Sequence, residues 1–467
     1  MFPASLLAGP AEAQDAVSGT LSLDGEYPIG VWWPPPPDQT STQCYAEIAA
    51  AYFNFVIGGN GVGNDTANPP ALKAAADNGL RFLLTDATLQ SLIRDGSGTT
   101  QTSSLQRTKP GIMQSLQEQE EGPGPEFRTA AVSGDDVRQR VQYLVDKYPS
   151  SAYPALAGIN IYDEPATSLF RLVNAAKTQL QASAPDELPY INVWPSYASP
   201  SALGARDYVT YLELYFSKVD PPLLCFDHYP LVGGTKITGT YFYNWAVIRN
   251  FALRFGVPAW GFIQSVGFDG SGAGLANRRR PREQEILWQV NVSLAYGAKG
   301  IQYFTYWTPD SQPGDPIQFG QALISLDGQQ TALYDYAQRV NRYLKVIGKV
   351  LLPLFSESVV HAQESRLPLG ARPFKRDAYV EEVSGSPVIL SRFRKTGTTD
   401  RYLFIANRSF NEVARTRLTM AEVVRGIFRL DIATERFVKD RLVGRSRREL
   451  PLSIPPGGAR LYLLRRR

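Results

Sequence analysis

The sequence is poor in the side chains that build metal and redox centres. Among 467 residues there are two cysteines, two histidines and three methionines. Cys44 and Cys225 fall in separate segments, so neither a disulfide framework nor a metal knuckle is expected. His228 and His361 are too few for a multi-histidine metal site. The glycine-rich stretch GFDGSGAGLAN (Gly267–Asn277) does not have the spacing of a phosphate-binding loop, and no cofactor is expected. No apolar run reaches the ~20 residues that cross a bilayer, and no membrane partner is expected. Neither sign of charge dominates: 48 Lys/Arg against 44 Asp/Glu leave +4.

What is present begins with rings. Aromatics are 11% of the chain, with 24 Tyr and 7 Trp. Such rings mostly fill cores, and at a surface they stack on sugars or bases. The charge is uneven. Residues 355–467 carry 23 Lys/Arg and 12 Asp/Glu, whereas residues 1–354 carry 25 and 32. The basic end is read as a basic surface, with no nucleic-acid partner. The start, MFPASLLAGPAEAQ, pairs a short apolar piece with Ala11-Glu12-Ala13. It is similar to the tail of a secretory leader that lacks its basic beginning. Residues 1–24 are read as a leader remnant or disordered tail, which points to a secreted or periplasmic protein.

From Tyr27 onward short apolar runs alternate with helical patterns. Strands are expected at IGVWW (Ile29–Trp33), NFVIGG, LRFLLTDA, AGINIYDEP (Ala157–Pro165), PYINVWP, LLCFDHYPL, PAWGFIQSVG and GIQYFTYWTP (Gly300–Pro309). A long polar insert, about Gln90–Ser133, follows the third. Eight strands alternating with eight helices argue for a (β/α)8 TIM barrel over residues 25–352, with a doubly wound sheet as the competitor. The count of eight favours the barrel. So does the gathering of Trp33, Asn60, Asp86, Glu164, Trp194, Asp227, His228, Gln264 and Trp307 at strand C-terminal ends, where barrel sites lie. Residues 353–467 read as short strands separated by turns, an antiparallel β-sandwich.

The stretch AGINIYDEP carries the chemistry. Two acids ending a buried strand are costly unless they face a cleft, where carboxylates do acid/base work. The plainer reading makes Asp163 a helix cap and Glu164 solvated. A fourth strand ending in an acid, preceded by Asp and followed by Pro165, resembles the clan A glycoside hydrolases, family 42 β-galactosidase-like enzymes in particular. CFDHYP, AYGAKGIQYFTYW (Ala295–Trp307) and SLDGQQTALYDYAQRVNRYL (Ser325–Leu344) are similar to segments of the same enzymes, in the same order.

The resemblance implies Glu164 as general acid/base and a nucleophilic Glu at the end of strand seven. Gln264 stands there, and a neutral amide cannot be a carboxylate nucleophile. Three readings remain open. The alignment is offset, with Asp269 the nearest acid; or Asp227, with Asp86 behind it, supplies the second carboxylate; or the chain binds carbohydrate without cleaving it. Asp227 is the leading partner, with a water between it and Glu164 in the inverting arrangement of roughly 6.5–9.5 Å. Trp33, Asp86, Asp163, Trp194, His228, Tyr229, Gln264, Tyr306 and Trp307 are the expected substrate contacts. Arg278-Arg279-Arg280 and Arg282 are read as a solvated run. Glu283 and Glu285 are read as acids suiting a helix N-terminus. The oligomeric state is left open.

Overall fold

The structure, a computed structural model, describes residues 23, 25–96, 132–444 and 447–466. The expected leader remnant lies outside the described residues except for Leu23, and so does most of the polar insert. The beginning of that insert is helix instead: Asp86 caps a helix over Ala87–Asp95.

Eight parallel strands close into a barrel in sequence order. They are β1 (Ile29–Trp32), β2 (Phe55–Ile57), β3 (Arg81–Thr85), β4 (Leu156–Asp163), β5 (Leu188–Val193), β6 (Leu224–Phe226), β7 (Ala259–Gln264) and β8 (Gly300–Phe304). Closure comes from β1 on β8, with Ile29 opposite Ile301 and Trp32 opposite Phe304. Both faces of each strand are buried, so the strands are apolar nearly throughout rather than alternating with polar residues. One set of side chains fills the interior: Phe55, Leu83, Ala157, Leu188, Tyr190, Cys225, Trp260 and Phe262. Large rings fit there because small residues face them. A Cβ on Gly30 would lie 2.2 Å from the Phe55 ring, and one on Gly300 would lie 2.5 Å from Trp260. Phe55 and Trp260 stack at 5.3 Å between centroids and plug the barrel.

Nine further strands follow, all antiparallel: β9 (Leu354–Ala362), β10 (Val380–Gly385), β11 (Val388–Lys395), β12 (Arg401–Asn407), β13 (Ala414–Met420), β14 (Val424–Asp431), β15 (Arg436–Asp440), β16 (Glu449–Ile454) and β17 (Ala459–Arg466). They form a six-stranded sheet, β9-β11-β12-β17-β14-β15, packed on a three-stranded sheet, β10-β13-β16. The larger sheet is buried on both faces. Leu403, Ile405 and Tyr462 face the smaller sheet, while Phe404, Ala406 and Leu461 join the core of the barrel's helices. The helix Glu283–Ala295 meets it directly: Trp288 Nε1 donates to the Arg408 carbonyl at 3.1 Å and Asn291 Nδ2 to that of Gly457 at 2.8 Å.

Candidate active site

The polar end of the barrel is assembled from β4, β5 and β6. A bulge at Ile161 gives β4 one residue more than its neighbour: Asn160 faces Tyr190, and Tyr162 faces Ile191. The bulge re-phases the strand and sets Asp163 opposite Asn192. Strict alternation would then send Glu164 to the other face. Instead Glu164 takes a left-handed backbone, φ 52°, and its N–H donates to the Asn192 carbonyl at 2.8 Å. A non-glycine residue pays about 1–2 kcal/mol for that conformation, and such strain gathers at functional sites. Trp33 (φ 58°) and Asn60 (φ 54°), just beyond β1 and β2, adopt it too.

Three carboxyl groups converge as a result. Asn192 Nδ2 donates to Asp163 Oδ1 at 3.0 Å and to Asp227 Oδ1 at 3.1 Å. The Glu164 carboxyl lies close enough to Asp227 and Asp163 for each charge to act on it. Both residues are 4% exposed. Burial, followed by the charges of Asp227 and Asp163, pushes Glu164 well above its ordinary value. Burial pushes Asp163 up to about 8, the Asp227 charge adding and the Asn192 amide opposing. Burial also raises Asp227, to about 6, against hydrogen bonds from Asn192, Glu164 and Tyr229. Burial thus favours the neutral form of all three acids, with Asp227 raised less than Asp163.

The structure redistributes the other expected residues. Tyr229 stays with the cluster, bonded to Asp227, with its ring 5.2 Å from Phe304. Trp33 and Trp194 are each 6% exposed, and their indole N–H groups have no partner. Gln264 is on the inner phase of β7, yet the loops after β6 and β7 take its amide. Oε1 accepts from Leu231 N at 2.8 Å and Nε2 donates to the Arg279 carbonyl at 2.8 Å. Its place as a substrate contact is corrected to that of a strap between loops.

Five more assignments change in the same way. Asp86 accepts from Leu89 N at 2.7 Å as a helix cap and from Arg140 at 2.9 and 2.7 Å, which uses both its oxygens. Both His228 ring nitrogens are engaged, with Asn244 at 2.9 Å and Thr238 at 2.7 Å; burial pushes it down to about 3, so it is neutral. Tyr306 points into the helix layer, its ring 6.3 Å from Phe53, and Trp307 packs beneath the turn at Gly328. Asp269 is exposed and accepts from Ser271 N at 2.9 Å.

The arginine run is not solvated at its start. Arg278 is 8% exposed, donates to the Tyr229 carbonyl at 2.7 Å, and lies 5.7 Å over the ring of Tyr197, which is itself 39% exposed. Arg279 pairs at 2.8 Å with Glu285, which is fully buried. Asn192 is a residue of the cluster that the sequence does not single out. Asn192 is the one polar residue on the inner phase of PYINVWP, a signal readable only once the strand's phase is known.

No protein-family model and no curated protein matches the chain. Solved structures align with it at TM-scores below 0.5. A β-galactosidase from the psychrophilic Marinomonas ef1 aligns over 70% of this chain and 62% of its own at 11% identity, TM-score 0.48. This chain thus spans less than two thirds of that enzyme's length. A putative α-L-fucosidase from Bacteroides thetaiotaomicron aligns over 72% and 99% at 11% identity, TM-score 0.44. A bifunctional glucanase-xylanase from a metagenome library aligns over 95% and 98% at 11% identity, TM-score 0.42.

Proposed function

We propose that the chain hydrolyses O-glycosidic bonds of a poly- or oligosaccharide, with Glu164 as proton donor and Asp227 as the second carboxylate. One observation carries this reading: the buried carboxyls of Glu164 and Asp227 are gathered with that of Asp163 at the C-terminal end of a parallel barrel. The resemblance of the DEP ending to clan A glycoside hydrolases supports it from the sequence. In this reading the glycosidic oxygen accepts a hydrogen bond from Glu164 and takes its proton as the bond to the anomeric carbon breaks. Asp227, as base, takes a proton from the water that forms the new bond to that carbon. The unpartnered indole N–H groups of Trp33 and Trp194 and the exposed ring of Tyr197 are suited to sugar hydroxyls and ring faces.

One observation favours a second reading, carbohydrate binding without cleavage: Gln264 stands where a nucleophile is expected and its amide is locked between two loops. Sugar release from a panel of defined glycans separates the two. The first reading expects turnover that Glu164→Gln lowers by about 10²–10⁴-fold while ligand binding persists. Wild-type protein that binds a glycan and releases no sugar selects the second.

A further inference from the structure

Asn192 touches all three acids of the cluster, each through a different atom or hydrogen. Its carbonyl accepts the Glu164 N–H at 2.8 Å. One side-chain amide hydrogen goes to Asp163 and the other to Asp227, at 3.0 and 3.1 Å. The side-chain amide gives nothing to the Glu164 carboxyl. The distribution is unequal in a way that matters: two carboxyls receive an N–H, which stabilises their ionised forms, and the third does not. Asn192 is 2% exposed, so these hydrogens face no competing water.

We propose that Asn192 is a positioning residue that keeps the cluster's proton on Glu164, by donating to Asp163 and Asp227 while its backbone fixes Glu164. This deepens the glycoside-hydrolase reading and rests on it, because a proton donor must hold its proton when substrate arrives.

The other groups around the cluster do not make the same distinction. Tyr229, from the loop after β6, bonds to Asp227 alone. Cys225 and Tyr190 lie one layer below and bond to Gln302 and to each other. Tyr208, from the helix Tyr208–Lys218, gives its hydroxyl to the Asn244 amide as acceptor at 3.1 Å. His228 is neutral and engaged elsewhere. Arg278, the nearby cation, donates to the carbonyls of Tyr229 and Ala276 and lies over Tyr197, which is exposed at the edge of the cluster. Asn192 alone among the described residues is hydrogen-bonded to two of the carboxyls and tied through its backbone to the third.

The isosteric Asn192→Asp variant and Asn192→Ala test this through the pH profile of kcat/KM. In the wild type the acidic limb follows Asp227 losing its proton. Without the amide hydrogens Asp227 ionises less readily, so the limb moves to higher pH. The expected result is a loss of about tenfold or more at the acidic end, shrinking as pH rises. A uniform loss at every pH, with the limb unmoved, overturns the proposal. Selective 13C labelling of Asp and Glu carboxyls gives a second measurement on wild-type protein, which depends neither on variant folding nor on activity. An Asp227 resonance that ionises before Glu164 agrees with the proposal, and a Glu164 that ionises first overturns it. If wild-type protein cleaves no glycan, the hydrolase reading fails while this titration still decides the role of Asn192.

Discussion

Asp163 and Asn192 face each other across β4 and β5 at 3.0 Å, a pairing set by the bulge at Ile161. Without the bulge Tyr162 would stand there and Asp163 would turn away. The bulge and the left-handed Glu164 act together: the first brings Asp163 into phase, and the second brings the next side chain to the same cluster. Adjacent residues of a strand ordinarily point to opposite faces. Two consecutive acids here couple to one another and to Asp227, so the concentration of carboxyl groups is a product of backbone irregularity at the end of one strand.

That concentration costs stability in a definite pH window. Each of the three acids has a folded value raised above its unfolded one. Such a group binds its proton more tightly when folded. Its contribution is complete below the unfolded value near 4 and is lost as pH rises through the folded value. The window is about 4 to 6 for Asp227 and about 4 to 8 for Asp163. Asp163→Asn keeps an oxygen for the Asn192 amide and cannot ionise. Relative to wild type it is expected to gain on the order of 1–3 kcal/mol between pH 4.5 and pH 8, read from urea unfolding at the two pH values. A difference that does not change with pH would show that Asp163 ionises as freely folded as unfolded.

Gln264→Glu tests whether the seventh strand merely lacks its carboxylate. The new oxygen would confront the Arg279 carbonyl where Nε2 now donates at 2.8 Å. A buried donor is lost and two acceptors are opposed, at a cost of about 1–3 kcal/mol. The expected outcome is a lower Tm and no rise in glycan turnover. An increase in turnover would mean that the loops release the side chain into the cleft.

The barrel is legible in the sequence because its signal is repeated and local. IGVWW, LRFLLT and PAWGFIQ are largely apolar on both faces, as parallel strands under helices must be, and prolines or a polar residue end each of them. Glu164 and Asp227 are legible for the same reason, as acids directly after apolar runs. What is not legible depends on phase and on side chains distant in sequence. Asp86 looks like a cleft acid until Arg140, 54 residues later, is brought against it. Tyr306 reads as a mouth residue by position, but its ring belongs to the helix layer. Arg278 reads as solvated because it starts a run of arginines, and the run turns under Tyr197 only because the loop crosses the barrel end. Asn192 has no motif at all. Its importance comes from a bulge in the neighbouring strand.

Asp86→Asn separates a structural acid from a sugar ligand. The asparagine still accepts the Leu89 N–H but loses the charge opposite Arg140, whose side chain is 18% exposed. Leaving a largely buried arginine poorly paired costs about 2–4 kcal/mol. The measured Tm is expected to fall while KM of the folded protein stays at the wild-type value. A raised KM with unchanged Tm would return Asp86 to the substrate.

Phe404→Ala tests whether barrel and C-terminal sheet are one cooperative unit. Phe404 is fully buried on β12 and faces the barrel's helices, while its neighbours Leu403 and Ile405 face the smaller sheet. The six-stranded sheet thus has a core on each side of its central strands. Removing the ring is expected to cost about 3–5 kcal/mol, because packed surroundings cannot collapse into the space. If the two parts share one core, calorimetry gives a single transition in wild type and variant, shifted down in the variant. Two transitions, only one of them shifted, would show that the sheet unfolds independently of the barrel. In that case the bonds from Trp288 to Arg408 and from Asn291 to Gly457 would be a docking contact between separate domains, and the barrel alone would keep its fold and its acids without the sheet.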